Sequence, residues 1–433
     1  MTRLFASVVT LLIGLGLMTG CSALPRGPAV PPSDTLRALP LGIPNARFYA
    51  DGDPAPIVAE VLQAVHRERA ALRAAGRPTE PMPPASFLAI SGGADNGAFG
   101  AGALSGWTTT GTRPEFKMVT GVSTGALTAP FAFLGSAYDP MLQQIYTTTG
   151  RDRIFLPRRL TALLFSDAIA DASPLADTIA YYANQTLVDA IAAEYQKGRL
   201  LMIGTTDLDA QRPVIWNVGA IAASRHPKAL ALFRKILLAS ASIPGAFQPA
   251  MIDVEVDGVE FQEMHVDGGA IAQLFLYPGS IDVGLVPVGR RQTAYIIRNG
   301  RLDPQHAEIE RRTLAIAGRA VSTMLQASGY NDVVRAYFLT KRDGLDYNLA
   351  YMSADFKMQR SGPFDEAYMR ALFDYGYNQA TGGRLWHKVP PGLHTTRPER
   401  EAASARAAYR ATEKRIVLEA VRPDVSAIDN VTR

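Results

Sequence analysis

A serine between two glycines is the clearest candidate for chemistry in this sequence. Residues 121–125 read "GVSTG"; they end the apolar run "EFKMVTG" and lead into a stretch with helical character. In a strand–turn–helix of this kind the glycines leave room for a strained backbone. The hydroxyl of Ser123 then projects above the sheet, near the N-terminus of the helix. The pattern predicts a nucleophile at Ser123.

Two other segments contain residue types that an activated serine needs. A Gly-rich stretch, "SGGADNG" (residues 91–97), follows the short apolar run "FLAIS", and "HVDGGA" (residues 265–270) supplies Asp267. An Asp-Gly pair is more often an ordinary turn, and Asp257-Gly258, between two alternating runs, predicts such a hairpin. Asp267 instead leads into the apolar run "IAQLFL", so we expect it at a strand end above the sheet.

One arrangement that uses Gly-x-Ser-x-Gly is the α/β-hydrolase triad, in the chain order Ser–Asp–His. Of the six histidines, His387 and His394 come late enough in the chain. Both lie in a proline-containing segment beyond the last clear strand. The HGGG oxyanion motif is absent, and this arrangement gives the glycines at 91–97 no role. It stays as an alternative.

The Gly-rich loop, the Gly-x-Ser-x-Gly turn and the Asp-Gly-Gly segment, in this order, resemble the patatin-like phospholipases. The blocks "TTDLDAQRPVIWNVG" (205–219) and "ASASIPGAFQP" (239–249) resemble the middle region of that family and the block before its acid. The resemblance covers residues 86–280 and extends toward residue 380.

This resemblance implies a lipid acyl hydrolase of the phospholipase A or lysophospholipase type, with a Ser–Asp dyad and no cofactor or metal. Ser123 would attack an ester carbonyl, and Asp267 would accept its proton and return it to the leaving alcohol. The N–H groups of Gly92, Gly93 and Ala94 would form the oxyanion hole. Because a carboxylate with an ordinary pKa of about 3.9 is a weak base, we expect burial to raise the pKa of Asp267.

The loop departs from the family pattern Gly-Gly-Gly-x-Arg/Lys-Gly at two positions. Ala94 stands at the third glycine, and it keeps the backbone N–H that an oxyanion hole needs. Asn96 stands at the basic position, which removes a positive charge and weakens the case for strong anion binding there.

Other polar residues near the motifs are given structural roles. His265 would share a strand face with Asp267 and is interpreted as a satisfied strand residue rather than a triad member. Asp95 is expected to cap the following helix, and Asp207 and Asp209 are expected to form turns. A nucleotide-binding interpretation of the glycines is disfavoured because "GAFGAG" lacks the full Gly-x-Gly-x-x-Gly order. A non-catalytic scaffold with the same fold is the alternative from another functional class.

Strands that alternate with helices must position these residues, and they predict an α/β fold: a three-layer sandwich with a mainly parallel central sheet flanked by helices. The small residues at 97–102 would let their helix pack close to the sheet. The predicted strands are 87–91, 115–121, 199–208, 212–219, the hairpin 254–261 and 293–300. The predicted helices are 57–76, 98–107, the stretch after 121, 226–240, most of 305–342, and 364–381.

The N-terminus predicts export. Arg3 is followed by fifteen mostly apolar residues and then by Cys21, the single cysteine of the chain. This pattern is typical of a secretory signal, and its apolar core is shorter than the roughly 20 residues of a membrane span. The residues before Cys21 resemble a bacterial lipobox, which implies lipidation of Cys21, and Ser22 implies an outer-membrane location facing the periplasm. An uncleaved helical anchor is the alternative.

Composition sets the wider limits. Of the 433 residues, 47% are hydrophobic and 19% are charged, so most of the chain is expected to build a core. The net charge of +4 shows no dense basic run, so no nucleic-acid partner is expected. The expected segments are a signal peptide (1–20), a Pro-rich tether (21–56), an N-terminal helix and linker (57–85), the catalytic domain (86–385) and a charged extension (386–433).

Overall fold

A nine-stranded sheet lies at the centre of the computed structural model, which describes residues 24–157, 168–283 and 289–393. The sheet comprises β1 (Arg47–Tyr49), β2 (Ala85–Ile90), β3 (Phe116–Val122), β6 (Leu200–Asp207), β7 (Arg212–Asn217), β8 (Ala250–Val256), β9 (Val259–Asp267), β10 (Gln292–Arg301) and β11 (Asp346–Met352), and β4 (Leu156–Pro157) pairs separately with β5 (Ala170–Asp171). The helices are α1 (Ala55–Ala74), α2 (Gly97–Thr109), α3 (Thr124–Leu134), α4 (Asp139–Thr148), α5 (Ser173–Tyr182), α6 (Gln185–Gln196), α7 (Val218–Ala223), α8 (Ala229–Ser240), α9 (Thr313–Arg342) and α10 (Glu366–Thr381).

Five parallel strands form the core of the sheet, in the order β6-β3-β2-β10-β11. Their middle residues, such as Leu88, Val119 and Leu201, are fully buried, as expected for strands covered by helices on both faces. Antiparallel strands extend this core: β7 and β1 follow β6, and the hairpin β8–β9 joins β6 through β9. The predicted α/β fold with a mainly parallel central sheet is confirmed, and the hairpin forms around Asp257-Gly258 as predicted.

Two strands, β3 and β9, pair with the same edge of β6, each over a different part of its length. This arrangement brings together residues that are far apart in the sequence. β3 pairs with the first part of β6, where Val122 lies opposite Gly204. β9 pairs with the last part, where Asp267 lies opposite Thr205. Because Gly204 and Thr205 are consecutive, the carboxyl ends of β3 and β9 meet at one point of the sheet.

Helix α2, which carries the small residues, has a second partner that its sequence did not indicate. At Gly100 the helix lies against the sheet as expected, since a Cβ there would be 2.6 Å from Asn299 Oδ1. At Gly102 and Gly106 a Cβ would be 1.9 Å from the carbonyl oxygen of Phe373 and 2.5 Å from that of Tyr377. Both carbonyls belong to α10, so the glycines also permit close packing of two helices.

The described part of the segment that we expected to be a tether lies against the domain. Leu39 exchanges backbone hydrogen bonds of 2.9 and 3.1 Å with Glu255, and β1 adds a strand beside β7. The buried guanidinium of Arg47 fixes this segment to β9. The predicted signal peptide, Cys21 and most of the C-terminal extension lie outside the described residues. Among the described helices, none has the length and apolar run that a membrane span requires.

Candidate active site

Ser123 stands at the turn between β3 and α3 in a backbone conformation that a serine rarely adopts. Its φ and ψ are 56° and −127°, and only 7% of its surface is exposed. Its N–H donates to Ser240 Oγ at 2.9 Å, and Ser240 Oγ donates to the carbonyl oxygen of Gly204 at 2.7 Å. The end of α8 therefore holds the strained turn in place.

The two glycines of the turn are required by close backbone contacts. A Cβ at Gly125 would lie 2.2 Å from the carbonyl oxygen of Ile90, and a Cβ at Gly121 would lie 2.4 Å from that of Gly125. No side chain fits in these spaces. The glycines thus let α3 begin directly above β2 and β3, as the sequence pattern predicts for a serine at such a turn.

Asp267 lies at the end of β9, beside Ser123. Its carboxylate accepts a hydrogen bond of 2.7 Å from the N–H of Gly269, and the Ser123 hydroxyl is close enough to interact with it and lower its pKa. Burial raises the pKa of Asp267 to about 7, against the opposing effect of these two interactions. Within the described parts of the chain no ion pair involves Asp267. The expected effect of burial on this pKa is confirmed.

The Gly-rich loop passes directly over Ser123, but it offers fewer donors than expected. A Cβ at Gly92 would be 2.9 Å from Ser123 Cβ, so only glycine permits this approach. The N–H of Gly92 already donates to the carbonyl oxygen of Gln273 at 3.0 Å, which removes Gly92 from the expected set of three oxyanion donors. The N–H groups of Gly93 and Ala94 have no hydrogen-bond partner among the described residues. Ala94 has a left-handed φ of 50°, which suits the glycine usual at this position.

A buried arginine lies behind this loop. Arg298 Nη1 is 3.2 Å from the carbonyl oxygen of Gly92 and 3.2 Å from Ser91 Oγ. Burial lowers the pKa of Arg298 to about 10, although the charge of Asp332 acts in the opposite direction. The neighbouring Asn299 donates to Ser91 Oγ and to the carbonyl oxygen of Ser91 at 2.8 and 2.9 Å. A cation therefore supports the loop from β10, although position 96 carries none.

Asp95 and Asn96 follow the loop and face residues from the C-terminal part of the domain. We had expected Asp95 to cap α2, but it does not. Its buried carboxylate binds Arg360 Nη1 at 2.9 and 3.1 Å and the N–H of Phe364 at 3.2 Å. Asn96 Oδ1 accepts the hydroxyl of Tyr368 at 2.8 Å. The carboxylate of Asp95 therefore binds Arg360, which is far away in the sequence, instead of the N-terminal N–H groups of α2.

His265 belongs to a separate buried cluster. Its Nε2 lies 3.1 Å from Glu263 Oε2 and its Nδ1 lies 3.0 Å from Thr205 Oγ1. Asp207, as expected, forms a turn by accepting the N–H groups of Asp209 and Ala210 at 3.0 and 3.2 Å.

Asp207, Glu263 and His265 have ligand atoms within 4.8 Å of one another, a spacing that a metal ion could use. However, Arg47 donates to both oxygens of Glu263, so a cation from the chain already occupies this position. The cluster fits a structural role.

The histidine that the alternative triad would need does not approach Ser123. His387 pairs with Leu349 through the backbone and contacts the ring of Tyr351, both on β11. β11 is separated from β3 by β2 and β10, which corresponds to about 14 Å at the usual strand spacing. His394 lies outside the described residues.

An apolar pocket begins beside the candidate dyad. Ala94 and Thr124 are among its lining residues, and α3, α4, α5 and α8 supply most of the wall. The pocket encloses about 690 Å³, counting space open to solvent, and it includes Leu127, Ile145, Leu175 and Ile179. Its size and lining suit a hydrocarbon chain.

Sequence reasoning missed Ser240, Gln273, Arg298 and Asn299, whose hydrogen bonds hold the turn and the loop. For Arg298 and Asn299, the sequence did contain a signal. Arg298 and Asn299 are polar residues at the carboxyl end of a predicted buried strand, where parallel sheets place their ligand-binding residues. Gln273 follows an apolar loop, and nothing in its neighbourhood predicted its contact with Gly92.

Comparisons with known proteins bear on the domain and its fold. Residues 88–277 match the family model of the patatin-like phospholipases. No curated protein sequence matches this one.

Similar solved structures include VipD from Legionella pneumophila (11% identity, 69% of this chain and 67% of that one, TM-score 0.30) and human GIVD cytosolic phospholipase A2 (12%, 64% and 51%, 0.28). The type III effector protein ExoU is a third (13%, 78% and 64%, 0.25). The chain spans between about half and two thirds of the length of these structures. Residues 88–277, a little under half of the chain, are therefore similar to the patatin-like phospholipases, a family of enzymes.

Proposed function

We propose that the protein is a lipid acyl hydrolase in which Ser123 is the nucleophile and Asp267 is the general base. One observation carries this proposal: the hydroxyl of Ser123 is close enough to interact with a buried carboxylate, that of Asp267, whose pKa is raised to about 7. A base with a pKa near neutrality accepts a proton far more readily than an ordinary aspartate and still returns it.

The reaction follows from this pair. Ser123 Oγ attacks the carbonyl carbon of an ester while its proton passes to Asp267. When the tetrahedral intermediate collapses, the bond to the leaving oxygen breaks and Asp267 gives the proton to the departing alcohol. A water molecule then attacks the acyl-serine with Asp267 as base, which releases the carboxylic acid and restores the hydroxyl.

The Gly-rich loop supports the negative charge that develops on the carbonyl oxygen. We assign the donors to the N–H groups of Gly93 and Ala94, since that of Gly92 is engaged by Gln273. Arg298 binds the carbonyl oxygen of Gly92, which belongs to the same peptide group as the N–H of Gly93. A cation on that oxygen polarises the peptide and makes the N–H a stronger donor.

The apolar pocket supports an acyl substrate. Its lining includes Ala94, one of the two proposed oxyanion donors, and Thr124, the residue after the nucleophile. An ester whose carbonyl lies at Ser123 would place its hydrocarbon chain in this pocket, so we infer a fatty acyl ester rather than a small polar one.

The test is hydrolysis of p-nitrophenyl butyrate and of phospholipid by the full chain in detergent. Ser123→Ala is expected to lower the rate by about a thousandfold or more, as for other activated serines. Ser136→Ala, at an exposed serine, is the matched control and is expected to behave as the parent. A fluorophosphonate probe is expected to label Ser123 alone. Retained activity in Ser123→Ala, or labelling of another residue, would contradict the dyad.

We further propose that the protein is anchored in the bacterial envelope by lipidation of Cys21, a proposal that rests on the sequence. Cells grown with an alkyne fatty acid are expected to label the parent but not Cys21→Ser. Fractionation is expected to place the parent with the outer membrane. Equal labelling of both proteins would contradict the anchor without affecting the proposed chemistry.

A further inference from the structure

A second cleft adjoins the loop next to the apolar pocket. Ala94 and Asp95 line the apolar pocket, whereas Asn96, the next residue, lines this cleft. The cleft encloses about 1160 Å³, counting space open to solvent. Its other walls are the segment after β10, the segment after β11 and Tyr368 of α10.

The side chains of this cleft are strongly biased in charge. Arg301, Lys357, Arg360 and His306 line it, and none of its described lining residues is an aspartate or glutamate. Two carboxylates bind these cations from outside the lining: Asp303 accepts from Arg301, and Asp95 accepts from Arg360. The cleft therefore presents cationic groups without an acidic side chain among them.

Several of its donors are free to bind a ligand. In the described parts of the chain, Lys357 has no ion pair or hydrogen bond. Arg360 uses Nη1 for Asp95, so its Nε and Nη2 have no described partner, and 55% of its side chain is exposed. Asp95 itself is only 1% exposed, so it fixes one end of Arg360 beside the Gly-rich loop. A partly anchored guanidinium loses less conformational freedom when it binds an anion.

We propose that this cleft binds the phosphate of the substrate's headgroup and selects lipids with a net anionic headgroup over choline lipids. The inference rests on the proposed function and deepens it. A phosphodiester accepts charge-assisted hydrogen bonds from Arg360 and Lys357, whereas the ammonium of choline meets these cations and has no carboxylate in the described lining to bind. These cations, supplied by the C-terminal part of the domain, replace the one that Asn96 lacks.

The placement of the two cavities matches such a substrate. The residues Ala94–Asn96 connect an apolar wall to a cationic one, and Ser123 lies beside Gly92, two residues before this turn. A glycerophospholipid has the same sequence of parts: a hydrocarbon chain, an ester carbonyl and, a few bonds farther, a phosphate.

The experiment compares dihexanoyl phosphatidylglycerol with dihexanoyl phosphatidylcholine, both at monomeric concentrations so that binding to an interface plays no part. For the full-length parent we expect kcat/KM to be about tenfold higher for the glycerol lipid. Lys357→Gln is expected to lower this preference severalfold, and Lys357→Glu is expected to abolish it. Lys228→Glu makes the same charge change at an exposed lysine outside the cleft and is expected to behave as the parent.

Hydrolysis of p-nitrophenyl butyrate, which has no headgroup, separates the two proposals. Lys228→Glu is expected to hydrolyse it within about twofold of the parent, and the Lys357 variants are compared by the ratio of their rates on the two lipids. If the parent fails on this ester, the proposed function is wrong. If the parent hydrolyses it but cleaves both lipids equally, or if Lys357→Glu keeps the preference, the cleft does not select the headgroup.

A final inhibition experiment distinguishes a site for the lipid headgroup from a site for free phosphate. Inorganic phosphate and glycerophosphoglycerol are compared as inhibitors of p-nitrophenyl butyrate hydrolysis. We expect the second to inhibit at lower concentration, and Lys357→Glu to weaken that inhibition. Stronger inhibition by inorganic phosphate would overturn the assignment to a lipid headgroup.

Discussion

Two buried carboxylates lie four positions apart on β9 and have opposite protonation behaviour. Asp267 and Glu263 are 4% and 1% exposed, so both lose nearly all contact with water. Burial raises the pKa of Asp267 to about 7. Burial acts in the same direction on Glu263, but its hydrogen-bond partners reverse the effect and lower the pKa to about 2.

The difference comes from the charge of the partners. Glu263 receives both terminal nitrogens of Arg47, one of them at 2.8 Å from Oε1, and the ring of His265 at 3.1 Å. Among the described residues, Asp267 interacts only with neutral groups: the N–H of Gly269, which donates to it at 2.7 Å, and the hydroxyl of Ser123. An arginine stabilises the charged form of a buried acid much more strongly than a hydroxyl does.

Burial alone therefore does not make a carboxylate a base; burial without a cation does. Glu263 keeps its charge, and this charge holds Arg47 and the N-terminal segment against the sheet. Asp267 has no such partner, so it exchanges a proton near neutral pH at the expense of folding stability. Four experiments test this division of roles.

The largest effect is expected for Asp267→Asn. The amide keeps the shape of the side chain but cannot accept the proton of Ser123, so hydrolysis of p-nitrophenyl butyrate is expected to fall about a thousandfold or more. The free energy of unfolding at pH 8 is expected to stay equal or to rise, because a buried uncompensated charge is removed. Loss of activity together with loss of stability would instead indicate a structural aspartate.

Glu263→Gln is the matched control on the same strand. It removes a carboxylate that faces Arg47 rather than Ser123, so the folded fraction is expected to hydrolyse the ester within about tenfold of the parent. Its free energy of unfolding is expected to fall, since Arg47 is left buried without its counter-ion. A thousandfold loss of activity in Glu263→Gln would show that Asp267 is not the only carboxylate of β9 on which catalysis depends.

The second largest effect is expected on the free energy of unfolding when Arg47, the cation that binds Glu263, is removed. Arg47→Met leaves Glu263 buried without its partner, and we expect the free energy of unfolding to fall by about 3–5 kcal/mol. Urea unfolding at pH 7 measures it. The double variant Arg47→Met/Glu263→Met is expected to recover a large part of this loss, because neither charge then remains buried. A double variant no more stable than Arg47→Met would show that packing, not charge, dominates there.

The two carboxylates also differ in how well the sequence predicts them. Ser123 was predicted from its motif, because the glycines permit the turn there. For Asp267 the apolar run after it predicted a strand end, and the resemblance to the patatin-like phospholipases implied its role as the base. Arg47 was not predicted, because it lies in a proline-rich segment that resembles a tether. Its ion pair with Glu263 depends on β1 joining the sheet beside β7, which neither segment indicates alone.

The same distinction holds for the fold. Four of the five parallel strands were predicted from their short apolar runs, whereas the fifth, β11, and the antiparallel β1 were missed. β1 is only three residues long, and β11, "DYNLAYM", has polar residues among its apolar ones. The Gly-rich loop was predicted from its glycines, and the resemblance implied its role as an oxyanion hole. The engagement of Gly92 by Gln273 could not be predicted, since it depends on the path of the chain after Asp267.

The third effect is the pH dependence of catalysis. Because Asp267 must be ionised to accept the proton and its pKa is about 7, kcat/KM for a neutral ester is expected to rise with pH and to level off above about 7. Below that value the rate is expected to fall about tenfold per pH unit. Glu263→Gln is expected to keep this midpoint, because Glu263 is already ionised throughout the range. A profile that stays flat down to pH 5 would mean that Asp267 is not the base.

The smallest effect is the pH dependence of stability, in which the two carboxylates are expected to act in opposite directions. The pKa of Asp267 is higher in the folded protein than its ordinary value of 3.8, so its contribution to stability is full below that value and is lost as the pH rises toward 7. The pKa of Glu263 is lower than its ordinary 4.5, so its contribution is present above 4.5 and is lost as the pH falls toward 2.

Urea unfolding of the parent and of Asp267→Asn between pH 4 and pH 8 isolates the first of these contributions, since every other group titrates in both proteins. The stability of the variant relative to the parent is expected to increase by at most about 1.4 kcal/mol per pH unit up to pH 7 and to stay constant above it. The same comparison for Glu263→Gln is expected to show no such increase over this range. A constant difference between the parent and Asp267→Asn would mean that Asp267 titrates alike in the folded and unfolded chain, and the contrast between the two carboxylates would then rest on geometry alone.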